Sequence, residues 1–336
     1  TPTPSPSPPP TTPTPSPSPP PPTTPTPSPP PPSSSPATAE CGIKSYGACY
    51  GQKLQCPSSC PDHCEVDCTI CSPVCSCDRP GAVCQDPKFV GADGLTFYFH
   101  GQKDRDFCIV SDTNLHINAH FIGRRNVNMK RDFTWVQSIG ILFGRHQLFL
   151  GAMKTATWDD ALDRISLAFD NQPVYLPERE GSTWLAETSS GQRMIVTRSR
   201  TVNSVTVEVE NNFKIMATVV PITEKDSRIH NYGITQEDCF AHLDLSFKFY
   251  SLTGKVNGVL GQTYASSYVS RVNVGMSMPV LGGNREFASS SLFSTDCKVA
   301  RFNHGDGQLP NGGSLALGNQ LDCSSDLNGP GVVCKR

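Results

Sequence analysis

The sequence predicts a mainly β protein: an antiparallel β-sandwich preceded by a small disulfide-rich segment and a disordered Pro-rich tail. Three observations carry that expectation. Residues 1–36 contain only Pro, Ser and Thr. Ten of the 15 cysteines fall between Cys41 and Cys84. From Asp86 onward, short runs alternate apolar and polar residues with a period of two. The expected divisions are 1–40 for the tail, 41–85 for the cysteine-rich segment, 86–300 for the sandwich, and 301–336 for a loop-rich extension containing cysteine.

The tail holds 20 of the chain's 31 prolines and no charge before Glu40. Each Pro fixes φ and removes an N–H donor, so helix and ladder are both closed to it. Extended polyproline II is the conformer left, which makes this segment a spacer and a surface for modification.

Ten cysteines follow: Cys41, Cys49, Cys56, Cys60, Cys64, Cys68, Cys71, Cys75, Cys77 and Cys84. Apolar residues between them are few, chiefly Ile43, Leu54, Val66, Ile70 and Val74. Such a segment needs staples. Disulfides are the expected ones, with zinc as the rival because the C-x₃-C and C-x₂-C spacings overlap those of metal ligands. The pairing is left open by the spacing. The other five are Cys108, Cys239, Cys297, Cys323 and Cys334. An odd total leaves one thiol for another chain or for a buried free site.

In the body, Leu95, Phe97 and Phe99 share one face of a strand, opposite Thr96, Tyr98 and His100. Leu115, Ile117, Ala119 and Phe121 alternate with His116, Asn118 and His120. Val205, Val207 and Val209 lead through Asn211-Asn212 into Phe213, Ile215, Ala217 and Val219, a hairpin pattern because Asn tolerates positive φ. Leu243, Leu245, Phe247 and Phe249 repeat the alternation. Polar residues at every second position predict sheets with one wet face.

No run of 18 apolar residues occurs, so no membrane-spanning helix is expected. With Thr1 first and many cysteines downstream, the expected state is a mature secreted chain or fragment that has lost its signal peptide. Net charge is −2, which argues against nucleic acid as a partner. N-x-[ST] sequons are absent, so N-glycosylation is not expected.

Ser7-Pro8-Pro9-Pro10 and the Ser18 and Ser28 blocks resemble plant extensin repeats, and the alternating Thr-Pro and Ser-Pro stretches resemble arabinogalactan-protein modules. That resemblance implies hydroxylated, O-glycosylated proline in the plant cell wall or mucilage. The tail has no Tyr, so the tyrosine cross-linking of extensins does not carry over.

Asp86-Pro87-Lys88-Phe89, the stretch from Ala92 to Gly101, and Asp106 to Asp112 resemble the opening of a von Willebrand factor type D domain. Gly258-Val259-Leu260-Gly261-Gln262-Thr263-Tyr264 is similar to the later signature of that domain. From Cys41 to about Cys297 the chain resembles the plant root-cap family, also called late-embryogenesis-abundant-related. Its marks are Pro73 to Cys77, Phe97 to Gly101, and Leu115 to Arg124. The resemblance implies an exported protein of wall-secreting tissue with no established reaction. Leu260 stands where the D-domain signature has Cys, and Ala265-Ser266-Ser267-Tyr268 supplies no carboxylate, so calcium is not carried over.

No catalytic constellation is expected. His116 and His120 lack the Glu and the helix of a zinc peptidase, and on a strand they start about 13 Å apart. Asp159, Asp160 and Asp163 beside Trp158, with Trp184 elsewhere, say nothing about the carboxylate separation a glycosidase needs. G-x-S-x-G and phosphate-loop motifs are absent. No cofactor and no metal are expected.

The candidate binding row is His116, Asn118 and His120, extended by Tyr98 and His100 if their strand pairs alongside. Arg124 and Arg125, with Lys130 and Arg131, form a basic run suited to acidic polysaccharide. The expected function is that of a non-enzymatic wall or mucilage protein that binds wall polysaccharide or wall protein. A protease-inhibitor-like cysteine-rich module and a wall-modifying enzyme are the alternatives.

Overall fold

The computed structural model describes residues 38–41, 44–58, 60, 64–85, 87–125, 131–230, 232, 237–273, 275–303, 322–324 and 333–335. The Pro-rich tract, Asp86, Lys130 and most of the C-terminal extension lie outside them.

The cysteine-rich segment is built from two small ribbons. Strands β1 (Thr38–Glu40) and β2 (Lys53–Gln55) pair, as do β3 (Cys64–Asp67) and β4 (Ser72–Cys75). Four disulfides hold them, Cys41–Cys68, Cys49–Cys71, Cys56–Cys64 and Cys60–Cys75, and a fifth, Cys77–Cys84, ties the following turn to the strand at 82–84. All ten cysteines of this segment are thereby used as disulfides, as expected from the shortage of apolar residues. Among the described residues Val66 is the aliphatic side chain buried with Cys41 and Cys49 in its small core. Cross-links of this loop size each stabilise by roughly 2–4 kcal/mol, mainly by constraining the unfolded chain.

The next strands are β5 (Ala82–Cys84), β6 (Lys88–Val90), β7 (Thr96–Tyr98), β8 (Arg105–Ser111), β9 (Leu115–Arg125), β10 (Asp132–Phe143), β11 (His146–Ala152), β12 (Ile165–Phe169) and β13 (Gln172–Pro173). Then come β14 (Thr183–Glu187), β15 (Arg193–Arg198), β16 (Ser204–Val209), β17 (Phe213–Val220), helix α1 (Glu224–His230), β18 (His242–Phe249), helix α2 (Asn284–Phe287) and β19 (Ala288–Ser289). One sheet has the order β13-β12-β11-β10-β9-β8-β19, and the other β14-β15-β16-β17-β18-β5-β6-β7. Every strand pairing within them is antiparallel.

The expected sandwich is therefore present. Its core draws Ile117, Ala119, Phe121, Ile139, Ile141 and Leu150 from one sheet and Val205, Val207, Ile215, Ala217, Leu245 and Phe89 from the other. Side chains from two inner faces interdigitating in this way define such a fold. The Asn211-Asn212 hairpin also forms, with Val209 opposite Phe213 and Asn211 at φ 58°. Leu95 departs from the expected pattern: it lies in the turn before β7 and is exposed, while Phe97 and Phe99 are buried. The cysteine-rich stretch is not separate along its whole length, because β5 sits inside the second sheet between β18 and β6.

Two bulges set which residues face outward. Between Cys108 and Val110 the register of β8 on β9 shifts, and between Val136 and Ser138 that of β10 on β9 shifts. An extra residue reverses the alternation. Phe107 and Val110 therefore both point into the core, while Cys108 and Ser111 both point out beside Asn118 and His116. On β10, Phe133 and Trp135 point out into a second apolar cluster with Ile222 and Tyr232, and Ile139 and Ile141 point in.

The last described strands, β20 (Asp322–Ser324) and β21 (Val333–Lys335), pair with Cys323 opposite Cys334. Among the described side chains, Cys108, Cys239 and Cys297 are free and buried.

Candidate interaction site

The expected binding row is not a wet face. His116 and Asn118 are each 0% exposed. The chain from Ala288 to Phe302 lies across the outer side of β8 and β9 and covers them. Ser111 accepts the backbone N–H of Arg301 at its Oγ (2.9 Å), and its hydroxyl meets His116 Nδ1 at 2.8 Å. His116 Nε2 meets Asn118 Oδ1 at 3.0 Å. An amide oxygen only accepts, so the network assigns the imidazole proton to Nε2 and leaves Nδ1 to accept from Ser111. The Asn118 amide nitrogen then faces the carbonyls of Ser291, Leu292 and Ser294 at 3.2, 3.1 and 2.7 Å. These two residues are a buried peg for the covering segment, and the expectation that they face a polymer is corrected.

His120 is the partly open end of the row. Its Nδ1 meets Asp106 Oδ1 at 2.8 Å, and that hydrogen bond raises its pKa against the opposing effect of burial. Tyr98 and His100 do not extend the row, because β7 belongs to the other sheet. The two rings stack on each other, 6.1 Å between centroids. His100 is buried, and burial together with the Arg131 charge lowers its pKa to about 4. Arg131 donates to its Nδ1 at 3.1 Å, so its proton sits on Nε2, a buried atom with no partner among the described residues.

Two members of the basic run are spent on internal contacts. Arg125 pairs with Asp132 at 2.8 Å, and Arg131 is held by His100 and the Phe133 ring. Arg124 is half-buried beside them. The acidic and aromatic candidates are engaged too. Asp160 accepts Trp158 Nε1–H at 2.6 Å, Asp163 is paired with buried Arg198 at 2.7 Å, and both Trp158 and Trp184 pack against the core.

One arrangement escaped the sequence motifs. His146 lies between Asp170 (Nδ1 to Oδ2, 2.7 Å) and Ser189 (Nε2 to Oγ, 3.1 Å). The order resembles a hydrolytic triad, but the backbone N–H of Ser189 already donates to the same Nε2 at 2.8 Å. The lone pair that would take a serine proton is occupied. The trio pins the β14–β15 turn to the β11 end.

A second cluster joins Cys108, His116 and Cys297, whose ligand-capable atoms lie within 4.8 Å of one another. Burial pushes the Cys108 thiol well up, and the hydrogen bond from Cys108 lowers that of Cys297. For a closed, four-ligand metal centre the set is one group short, and both ring nitrogens of His116 already hold hydrogen bonds.

An open cleft lies at the end of the β8–β9 hairpin. It has a volume of about 690 Å³ and is lined by Asp112, Thr253, Lys255, Ser266, Arg301 and Asn303, among others. Both oxygens of Asp112 are consumed: Oδ1 accepts from Thr113 N and Thr253 Oγ1, and Oδ2 accepts from Thr253 N. Lys255 and Arg301 are exposed and make no ion pair among the described residues. Forty-six positions apart in sequence, they were invisible as a pair.

The later part of the chain braces β8 along its edge. Asn257 exchanges backbone hydrogen bonds with Ser111, and Val259 and Leu260 donate to the carbonyls of Cys108 and Ile109. Gly258 sits at φ 108°, and a Cβ there would lie 2.5 Å from the Ile109 oxygen. Only glycine fits against the bulge. Further on, Ala288 and Ser289 pair with Phe107 and Asp106, and Asn303 donates to Thr113. Residues 257–260 and 288–289 thus both bond the free edge of β8. No curated protein matches the chain. The model of the family described as Root cap matches residues 246–302, which include both of these stretches, and supports a relation of this chain to that family.

Proposed function

We propose that the protein is an exported, non-enzymatic component of the plant cell wall or root-cap mucilage, retained there by contacts of its β-body with wall polymer. The observation that carries this reading is the set of five disulfides within residues 41–84. Such a density belongs to oxidising compartments, where a segment too poor in apolar residues must be stapled. The root-cap match over 246–302 points to the same setting. Among the described residues no helix is long and apolar enough to cross a membrane.

In this reading the Pro-rich tract is a glycosylated spacer in the hydrated matrix and the sandwich is the contact body. Two weak attachments on one chain raise retention through effective concentration. The test is retention of the secreted, oxidised full chain on fractionated wall material. Retention of the oxidised protein is the expected result. Passage through every fraction without retention sinks the proposal.

A further inference from the structure

We infer that the cleft carrying Lys255 and Arg301 is a binding site for the carboxylate of an acidic sugar, a uronate within an extended polysaccharide. This rests on the proposed matrix role and names the ligand class for it.

The charge argument comes first. The whole chain carries −2, so a polyanion is not drawn to it in bulk. Attraction has to be local. In the basic run, Arg125 is already paired with Asp132 and Arg131 is held by His100. At the cleft the one acid in the lining, Asp112, is buried, and its oxygens are filled by Thr113 and Thr253. Two cations, Lys255 and Arg301, remain in the lining with several hydroxyl groups. A guanidinium matches the planar fork of a carboxylate, and an ammonium adds a point charge.

The neutral part of the lining fits the rest of a sugar. Thr113, Ser266 and Asn303 line the cleft beside the cations and offer donors and acceptors to ring hydroxyls. Gly254 keeps the floor low: a Cβ there would meet Ser266 Oγ at 2.7 Å. The volume lies in the range of small-ligand sites. Two cations are too few for nucleic acid, which needs a broad basic surface. The cleft is also fixed in shape. Asp112 ties the Thr253 turn to β8, and Ser111 ties the backbone of Arg301 to the same strand end. Both cations therefore project from anchored backbone.

The experiment uses the full, oxidised chain and a de-esterified galacturonate oligomer, compared with its methyl ester, by calorimetry at low and high salt. Binding of the acidic oligomer, loss on esterification, and weakening by salt are expected. Lys255→Gln with Arg301→Gln should weaken binding by about tenfold or more, the scale of one charged hydrogen bond. Arg124→Gln with Arg125→Gln should change it less than twofold, roughly the scale of a surface charge. Should the double variant lose its thermal transition, Lys255→Gln alone serves, since its side chain holds no partner among the described residues; about threefold weakening is expected. Equal binding of acid and ester, or binding unchanged in the cleft variants, overturns the inference. If the protein is retained on wall material but ignores the acidic oligomer, the cleft assignment falls and the matrix role stands. If the protein is retained by nothing, both fall.

Discussion

Asn118→Ala separates a structural peg from a binding row. The side chain is fully buried and serves both directions at once. Its oxygen accepts from His116, and its amide hydrogens serve the carbonyls of Ser291, Leu292 and Ser294. Two hydrogens satisfy two of those carbonyls at a time. Truncation therefore strands the His116 Nε2–H and one or two acceptors without admitting water. Each orphaned buried group costs about 1–3 kcal/mol, so a loss of about 3 kcal/mol or more is expected. The covering segment should also loosen. Urea unfolding followed by tryptophan fluorescence reads the first effect, and amide hydrogen exchange over residues 288–302 reads the second. A His116→Ala/Asn118→Ala cycle should show coupling of about 1–3 kcal/mol. A loss below about 0.5 kcal/mol, the usual size for a surface substitution, with unchanged exchange would refute the peg.

Gly140 lies opposite Asn118 on β10, and a Cβ there would meet the Leu292 oxygen at 2.5 Å; Gly140→Ala should therefore speed exchange in the same segment, and unaltered exchange contradicts the packing. Gly258→Ala combines a positive φ with a clash against Ile109 and should cost at least about 2 kcal/mol in urea titrations. Arg198→Ala leaves Asp163 without its buried partner and should cost about 3–5 kcal/mol, less when Asp163→Ala is added; additive losses would speak against the pair. The histidines act in opposite directions with pH. His100 has a lowered folded pKa, so its contribution is present above 6.5 and is lost as pH falls towards about 4; His100→Gln should flatten stability in that window. His120 has a raised folded pKa, so its contribution is full below 6.5 and is lost as pH rises through the folded value; His120→Gln should remove that slope.

Much of the fold was legible because its signals are local. Alternation at Val205 to Val209, at Phe213 to Val219 and at Leu115 to Phe121 names strands and their inner faces without reference to partners. The functional candidates were less legible for the same reason. His116, Asn118 and His120 alternate as a wet face would, and nothing local reveals that a segment more than 160 residues away lies over the first two. A polar residue on a strand is exposed or satisfied according to what covers it. The His146–Asp170–Ser189 trio and the Lys255–Arg301 cleft were missed because their members come from separate turns.

By itself the sequence determined that residues 41–84 must be cross-linked, since they carry too little apolar surface to hold together otherwise. It also determined that the body forms antiparallel strands, because period-two burial admits little else. The direction of particular side chains was decided by tertiary structure. The bulge between Cys108 and Val110 is one extra residue, yet it turns Ser111 outward to His116 where strict alternation would have set it opposite Cys108. The pairing of ten cysteines was likewise decided in three dimensions, by which ribbons lie together. Spacing along a chain fixes what can alternate; only packing fixes what is covered, what is paired, and which charges are left facing water.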